Sequence, residues 1–180
     1  MSEDEVQLEL RLLESGDRVT GLSIGDKEFL PLKTFLQKHA KAFQQQSLAR
    51  TYVVVDPARN SKIVAFITLI SGEVQTDKEH ALIDGDLGYT YTAYPAIKVA
   101  RLAVVSNYRR SAIGRTLIDF ALGTVKSRIC PVVGCRFIVV DAKKASVPFY
   151  DRCGFTMLDT EENRARSEPV MFIDLHKIEI

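Results

Sequence analysis

Cysteine is scarce in this chain, and its three copies are not arranged for metal binding. Cys130, Cys135 and Cys153 form no C-x-x-C pair, and the three histidines lie far apart. Structural zinc sites and disulfide frameworks normally show paired cysteines at short, regular spacings. The sequence therefore predicts reduced, mostly buried thiols and no metal site.

Long apolar runs and a large net charge are also absent. No stretch is apolar enough to cross a bilayer, and residues 1–6 are acidic and lack the apolar region of a signal peptide. Lysine and arginine number 24 against 23 acidic residues, a net charge of +1. This balance excludes a protein surface that is strongly positive overall, as expected for broad nucleic-acid binding, but permits a local basic patch. We expect a cytoplasmic protein with no membrane partner.

The chain contains no Pro/Gly/Ser-rich linker, repeat or low-complexity tract, so residues 1–180 predict a single domain. Apolar residues three and four apart over residues 29–43 predict one amphipathic helix. His39 lies on its apolar stripe and is interpreted as a core-edge residue and not as a base. Further predictions are strands at 6–12, 51–55, 63–70 and 170–175, a long loop or lid at 71–95 and a charged loop at 160–168.

A basic turn stands between a predicted strand and a predicted helix. Residues 97–105 are rich in valine, alanine, leucine and isoleucine, and apolar residues recur at helical spacing over 113–125. At a helix start, backbone N–H groups lack intrahelical partners and the helix dipole is positive, which favours a pyrophosphate. The turn supplies three small residues and three cations: Ser111, Ala112, Gly114, Arg109, Arg110 and Arg115.

This turn alone supports two interpretations, because short basic turns are weak motifs. It is either an anion cradle or a basic loop before an ordinary helix. A second segment, residues 136–155, reads RFIVVDAKKASVPFYDRCGF. It predicts a strand at 136–140 and a short helix at 146–153 that Gly154 ends.

Together the two segments resemble the GNAT acetyltransferase superfamily. In that family an Arg/Gln-x-x-Gly-x-Gly/Ala loop holds the pyrophosphate of acetyl-CoA, and Arg109, Ala112 and Gly114 occupy its motif positions. Phe149-Tyr150 and the following Gly-Phe match a later motif of the family. The resemblance implies an α/β (α+β) fold: a mixed, mostly antiparallel sheet of six to seven strands with helices on both faces.

The same resemblance implies acetyl-CoA as cofactor, with CoA as product, bound by one strand and the loop after it. Ala112 stands where the family has a glycine, so a turn that needs positive φ there would be mildly strained. The implied cofactor-binding residues are Leu102, Ala103, Val104, Arg109, Arg110, Ser111, Ala112, Ile113, Gly114, Arg115 and Phe149.

Tyr150 is the predicted catalytic residue. When an amine attacks the thioester, the CoA sulfur leaves as a thiolate unless it receives a proton, and by resemblance Tyr150 reaches that sulfur. A phenol with a pKa of about 10 is protonated at neutral pH and comparable in acidity to a thiol. The strand N–H groups at residues 102–104 are the candidate oxyanion donors. In the alternative interpretation Tyr150 only packs against the pantetheine or the core.

No general base is assigned from sequence. An α-amine, with a pKa of about 7.7–8.0, is partly neutral at pH 7, whereas a lysine amine at about 10.4 is not. A site with no obvious base therefore leans toward α-amine-like acceptors, either small molecules or macromolecules. The residues considered as a base, each more often simply solvated, are Glu73, His80, Asp84, Asp86 and Asp141.

A narrower resemblance concerns the TacT-like toxins of toxin–antitoxin pairs. It rests on the segments His39-Ala40, Arg50-Thr51-Tyr52-Val53, Arg101-Leu102-Ala103-Val104 and Asp141-Ala142. It implies the α-amine of aminoacyl-tRNA as acceptor and a ribbon-helix-helix antitoxin as partner, and homodimers are common in the superfamily. The alternatives are an N-acetyltransferase for another primary amine and a non-catalytic acetyl-CoA-binding module.

Overall fold

A computed structural model describes residues 7–25, 27–75 and 92–178. Within these ranges the chain forms seven strands and five α-helices. The strands are β1 (Glu9–Leu12), β2 (Arg50–Asp56), β3 (Lys62–Gln75), β4 (Ala93–Val104), β5 (Phe137–Asp141), β6 (Thr156–Met157) and β7 (Val170–Asp174). The helices are α1 (Leu30–Lys38), α2 (Ala40–Gln45), α3 (Ile113–Thr124), α4 (Val147–Arg152) and α5 (Glu161–Ala165).

The strands form a mixed sheet in the order β1-β2-β3-β4-β5-β7-β6. Antiparallel ladders join β1 to β2, β2 to β3, β5 to β7 and β6 to β7. β3 and β4 also run antiparallel, because Val105 donates its N–H to the Val64 carbonyl at 2.8 Å whereas Gly72 lies beside Lys98. β4 and β5 are parallel and pair over three residues. The predicted fold class is confirmed.

The described chain packs as two compact units, of which the first combines Met1–Ile70 with Ala100–Asp119. Its core joins Phe35 and Leu36 of α1 to Phe66 of β3, all of them buried. Burying one such side chain contributes roughly 1.5–3 kcal/mol, which is more than helix propensity supplies to a short helix. Tertiary packing therefore holds α1 in place.

The predicted helix of residues 29–43 is interrupted at one residue. α1 ends at Lys38 and α2 begins at Ala40, with His39 between them at φ −123° and ψ −31°. The backbone hydrogen bonds continue across the break, because His39 bonds to the Phe35 carbonyl and accepts from Phe43. The side chain of His39 is exposed, and its ring lies 6.1 Å from that of Phe43, at the edge of the core.

The second unit combines Ser71–Val99 with Phe120–Ile180. Its aromatic cluster is centred on Phe137, whose ring packs edge-on against Tyr94 at 5.9 Å and Phe172 at 5.5 Å. Such edge-to-face pairs add stability beyond the area they bury. The cluster covers the start of the parallel β4–β5 pair.

The predicted loop at residues 71–95 was too long at both ends. β3 continues to Gln75 and β4 already begins at Ala93, and residues 76–91 lie outside the described residues. Alternating exposure at the end of β3, with Val74 buried between exposed neighbours, is the pattern of a strand with one covered face. Gly72 is a turn signal in the sequence, whereas in the structure it allows close approach to Lys98: a Cβ at Gly72 would lie 3.3 Å from the Lys98 Cβ.

The predicted charged loop at residues 160–168 was also wrong in part, because it contains α5. Thr160 caps this helix by accepting a hydrogen bond from the Asn163 N–H at 3.1 Å. The buried Asn163 amide in turn bonds the carbonyls of Leu158 and Val170. A threonine followed by two glutamates is a helix-start signal that the high charge of the segment obscured.

Three further findings concern the described ranges only. No helix there combines the length and the apolar character that crossing a membrane requires. No cluster of three or more histidine, cysteine, aspartate or glutamate side chains is placed to hold a metal ion. All three cysteines are free thiols, with Cys153 buried and the other two half-buried.

Candidate active site

The basic turn has the strand–turn–helix form that the sequence predicts. β4 ends at Val104, one 3₁₀ turn covers Ser106–Tyr108, and α3 begins at Ile113. The intervening residues 109–112 are all exposed. The first N–H groups of the 12-residue helix α3 therefore have open space before them, which is the arrangement that favours an anion.

Two residues of this turn have left-handed backbone conformations. Arg110 has φ +70° and Ala112 has φ +59°, which costs a residue other than glycine roughly 1–2 kcal/mol. The strain predicted at Ala112 is thus present in the structure. Its carbonyl accepts the N–H of Thr116 at 2.9 Å, so the same residue also opens the hydrogen-bond ladder of α3. Such strain is common in loops that bind ligands.

The segment before α1 supports this turn. The Arg109 guanidinium donates to the Ile24 carbonyl and lies 5.2 Å from the ring centroid of Phe29. Ser106 donates its N–H to the Ser23 carbonyl at 2.9 Å. The sequence predicted only a positive charge from Arg109. In the structure its side chain also links the turn to the segment before α1, through Ile24 and Phe29.

A buried carboxylate ties the turn to the end of β2. Tyr108 donates its hydroxyl to Asp56 Oδ2 at 2.8 Å, and Asp56 is only 1% exposed. The Asp56 hydrogen bond, followed by burial, raises the pKa of Tyr108 above its ordinary value. Asp56 Oδ1 is buried with no hydrogen-bond partner in the described chain, which makes the Tyr108 bond more important for this carboxylate. Sequence analysis missed this pair, because 52 residues separate its members.

The three predicted cations of the turn differ in their surroundings. Arg115 pairs with Asp119 one helical turn further on, with Nε 2.9 Å from Oδ1. Arg109 donates to the Ile24 carbonyl. Arg110 is exposed at the tip of the turn. The exposed Arg110 and the positive end of the helix dipole are therefore the charges of this turn that are most open to a ligand.

Tyr150 lies on α4 and is 7% exposed. Its ring packs edge-on against Phe149 at 5.1 Å and against Phe155 at 5.4 Å, which fixes its orientation. No residue in the described ranges forms a hydrogen bond with its hydroxyl. Burial, with a smaller contribution from Cys153, raises the pKa of Tyr150 well above its ordinary value, so the phenol keeps its proton. Gly154, with φ +91°, ends this helix as the sequence predicts.

Two of the candidate bases lie in one polar cleft of the second unit. This cleft of about 380 Å³ is lined by Glu73, Asp141 and Lys98, among others. The ammonium of Lys98 forms an ion pair with Asp141 Oδ2, so this carboxylate is engaged by a cation. His80, Asp84 and Asp86 lie outside the described residues.

The structure distributes the predicted site residues over three elements and one turn. Leu102, Ala103 and Val104 end β4, and residues 109–112 form the turn. Ile113, Gly114 and Arg115 begin α3, whereas Phe149 and Tyr150 belong to α4 in the second unit.

A family model described as "Acetyltransferase (GNAT) domain" matches residues 22–171. The chain belongs to the GNAT acetyltransferase family. As a GNAT enzyme it is an acetyl-CoA-dependent N-acetyltransferase, with CoA as its product. The matched range includes the strained turn, α3 and α4, and it extends over both compact units.

Solved structures of KacT and of the toxin AtaT share this fold over 94% of the chain. A tyrosine-to-phenylalanine mutant of KacT is 20% identical, with a TM-score of 0.79 and 96% of its own chain covered. AtaT complexed with acetyl-methionyl-tRNAfMet is 20% identical, with a TM-score of 0.77 and 96% covered. An AtaT mutant bound to acetyl-CoA and the C-terminus of the antitoxin AtaR is 20% identical, with a TM-score of 0.73 and 94% covered. No curated protein matches the chain's sequence.

Proposed function

We propose that this GNAT enzyme acetylates the α-amine of aminoacyl-tRNA and thereby acts as a toxin in the cytoplasm. The observation that carries the proposal is the likeness of nearly the whole chain to AtaT, which was solved with acetyl-methionyl-tRNAfMet. The ion pair of Asp141 supports it further, because the oxygen that would act as a base is already bonded to the Lys98 ammonium. An α-amine needs less help, since part of it is already neutral at pH 7.

The pyrophosphate of acetyl-CoA binds to the turn at residues 109–114 in this proposal. Arg109 and Arg110 contribute charge, and the first N–H groups of α3 contribute hydrogen bonds. Gly114, the second residue of α3, leaves the main chain open to the phosphates. Ile113 is buried and anchors the start of the helix.

The thioester arm lies along β4, where successive N–H groups alternate in direction. Val105 points its N–H at β3, so Val104 points away from β3 and Ala103 points toward it. By the same alternation, Leu102 also points away. We therefore assign the ligand-binding N–H groups to Leu102 and Val104, and we assign to Ala103 a role in holding the sheet together.

Tyr150 supplies the hydrogen bond or proton to the sulfur of departing CoA. Its hydroxyl has no competing partner in the described chain, and neighbouring rings hold it in place. Because burial raises its pKa, complete proton transfer to a thiolate is more uphill than for an ordinary phenol. We infer that Tyr150 stabilises the developing thiolate mainly by donating a hydrogen bond. Phe149 lines the pocket beside it.

A ribbon-helix-helix antitoxin is the proposed partner, because the toxin AtaT was solved with the C-terminus of its antitoxin AtaR. The two compact units act as one catalytic domain in this proposal, since a single family model extends over both.

The test is an acetylation assay with purified protein, radiolabelled acetyl-CoA and a set of charged tRNAs. We expect label in the aminoacyl-tRNA fraction and none on uncharged tRNA or on lysine peptides. Replacing Gly114 with valine should remove the activity by blocking approach to the main chain. Labelling of lysine peptides or small amines in preference to charged tRNA would select the other acetyltransferase function. Acetyl-CoA binding without transfer to any amine would indicate a binding module.

A further inference from the structure

An open cleft of about 530 Å³ lies in the first unit, apart from the residues assigned to acetyl-CoA. Its volume is within the range typical of sites for small ligands. Most of its lining is apolar or aromatic, and one side chain carries a permanent charge. The lining residues that matter here are Leu30, Phe35, His39, Phe43 and Arg101.

Arg101 is the charged residue, and it interrupts the apolar sequence of β4. Its guanidinium carbon lies 3.7 Å from the ring centroid of Phe35, and the side chain is half-buried. No residue in the described ranges forms an ion pair or hydrogen bond with it. Burial lowers the pKa of Arg101, and no acidic residue in the described ranges offsets this effect. The cleft therefore holds a cation whose hydrogen-bonding groups have no partner within the described part of the chain, which favours an anionic ligand.

Flat rings stand next to this cation. Phe43 packs edge-on against Phe35 at 5.6 Å, and the exposed His39 ring lies 6.1 Å from Phe43, tilted by 54°. Leu30 extends the apolar surface at the rim, with 52% of it exposed. Aromatic rings beside a cation form the kind of surface on which proteins stack unpaired bases while binding the adjoining phosphate.

We propose that this cleft binds the 3′-terminal nucleotide of an RNA acceptor. Arg101 bonds the phosphate through its planar fork of N–H groups, and Phe43 and His39 pack against the base. One nucleotide carries one phosphate charge for one flat base, which matches the single cation and the adjacent rings. The inference rests on the proposed function, in which the acceptor is charged tRNA, and it adds the element that recognises the RNA end.

An acidic apolar peptide is the competing occupant, because it too would neutralise Arg101. The cleft offers such a peptide one cation and a small apolar area, whereas a bound peptide segment also needs partners for its backbone groups. The side chains at the centre of the cleft are rings and hydrocarbon, which suit a base better than a peptide backbone. The observations therefore favour RNA.

Direct binding tests the proposal without relying on acetyl transfer. The probe is a short fluorescent RNA that ends in unpaired CCA-3′, with anisotropy measured against the full-length protein. Arg101→Met keeps a flexible side chain over Phe35 and removes the charge, and we expect it to weaken binding about 10-fold or more. Phe43→Leu should weaken binding by at least about 5-fold through loss of stacking. Arg128→Met, at an exposed arginine of the second unit, is the matched control and should bind as the wild type does.

Two further measurements separate a binding role from a structural one. Arg101→Lys should restore part of the affinity, because it returns the charge without the planar fork. In Arg101→Met, the slope of log affinity against log salt should fall by about 0.7, the value for one lost phosphate contact on a single strand. Retained acetyl-CoA binding by calorimetry establishes that each variant is folded.

Equal RNA affinity in the wild type and Arg101→Met would overturn the proposal, as would Arg101-dependent binding of an acidic apolar peptide by a protein that does not bind the RNA. Arg101-dependent RNA binding by a protein that fails to acetylate charged tRNA would leave the cleft assignment intact and remove the proposed function. If the protein acetylated charged tRNA but its affinity for the RNA did not change in Arg101→Met, the proposed function would stand and the cleft assignment would be wrong.

Discussion

Tyr150 combines a ring that is fixed by packing with a hydroxyl that is available for bonding. Its ring is fixed by two aromatic neighbours, while its hydroxyl bonds no residue in the described chain. A hydroxyl that no described residue engages is available to donate to a bound ligand during turnover. The raised pKa keeps the proton on the phenol throughout the neutral range.

We expect Tyr150→Phe to lower turnover by a factor on the order of 10² and to leave acetyl-CoA affinity within a few-fold of wild type. The reason is that the ring remains to pack, and the only group lost is the hydroxyl that we propose donates to the sulfur. Single-turnover kinetics and calorimetry check the two quantities. Tyr94→Phe, a buried tyrosine packed against Phe137, is the matched control and should turn over normally. Unchanged turnover in Tyr150→Phe would refute the role in leaving-group stabilisation.

Ala112 is the residue where the family motif and the chain disagree. Because its φ of +59° strains any side chain, Ala112→Gly removes a cost of about 1–2 kcal/mol but adds about 0.5–1 kcal/mol of unfolded-state entropy. We expect the free energy of unfolding to rise by up to about 1.5 kcal/mol in urea denaturation. The same change at Ala121, inside α3, should instead lower it by about 1 kcal/mol. A loss of stability in Ala112→Gly would show that this residue is not left-handed in solution.

Residue-scale prediction succeeded where a motif position encodes a backbone state, as at Ala112 and Gly154. It failed where a role depends on contact between distant segments. The Arg109 side chain reaches a carbonyl 85 positions away, at Ile24, and no local pattern signals that pairing. Arg101 did carry a signal, because charged residues are uncommon inside a mostly apolar strand, and the only charged residues of β4 are Lys98 and Arg101.

At the scale of elements, the strands and helices with strong periodicity were predicted well. β2, α3 and β5 fall within one residue of their predicted bounds. One error occurred where tertiary pairing overrides local sequence: β3 runs through Gly72 because β4 lies alongside it. The other was a missed local signal, because Thr160 caps α5 within a highly charged segment.

One glycine inside a helix and one just after a helix give opposite predictions for substitution by alanine. Gly123 lies within α3 and Gly154 follows α4 at φ +91°, and both have open space where a Cβ would stand. Gly123→Ala should therefore raise the free energy of unfolding by about 0.8–1.0 kcal/mol through helix propensity. Gly154→Ala should lower it by about 1 kcal/mol or more, because alanine must adopt a left-handed conformation.

Thermal and urea denaturation of the two variants measure these differences. A Cβ added at either glycine would have no neighbouring atom within 4 Å, so steric clashes do not affect the comparison. If Gly154→Ala proved neutral, α4 would have to end in a different way from the one seen here. If Gly123→Ala were destabilising, the last turn of α3 would not be helical in solution.

At the scale of the whole molecule, two compact units share the strands β3 and β4 and the helix α3. The sequence predicted the fold class and the cofactor, because both follow from a short motif in a recognisable order. It did not predict the division into two units, because that division follows from which residues contact one another in the fold and no linker sequence marks it. The net charge of +1 also hides local features such as the cation in the Arg101 cleft.

The free energy of unfolding of the whole chain should depend on pH in the acidic range through one ion pair near the start of the described chain. Arg11 binds Asp17 with two hydrogen bonds, at 2.8 and 2.6 Å, and the Asp17 side chain is 8% exposed. Hydrogen bonding from Arg11 lowers the pKa of Asp17, although burial acts in the opposite direction. A carboxyl with a lowered folded-state pKa contributes its stability above the unfolded-state value, about 3.9, and loses it as pH falls through the folded-state value.

Asp17→Asn should therefore lower the free energy of unfolding by about 1–3 kcal/mol at pH 7, where the wild-type pair is fully charged. Between about pH 5 and about pH 2 the difference from wild type should shrink, because the wild type loses the same charge by protonation. Urea denaturation across this pH range measures both curves. Glu9→Gln is the control: Glu9 lies 3.8 Å from Arg11 but is 58% exposed, so solvent screening should leave its effect below about 1 kcal/mol. A difference between Asp17→Asn and wild type that stayed constant down to about pH 2 would mean that the mutation acts through packing and not through the charge on Asp17.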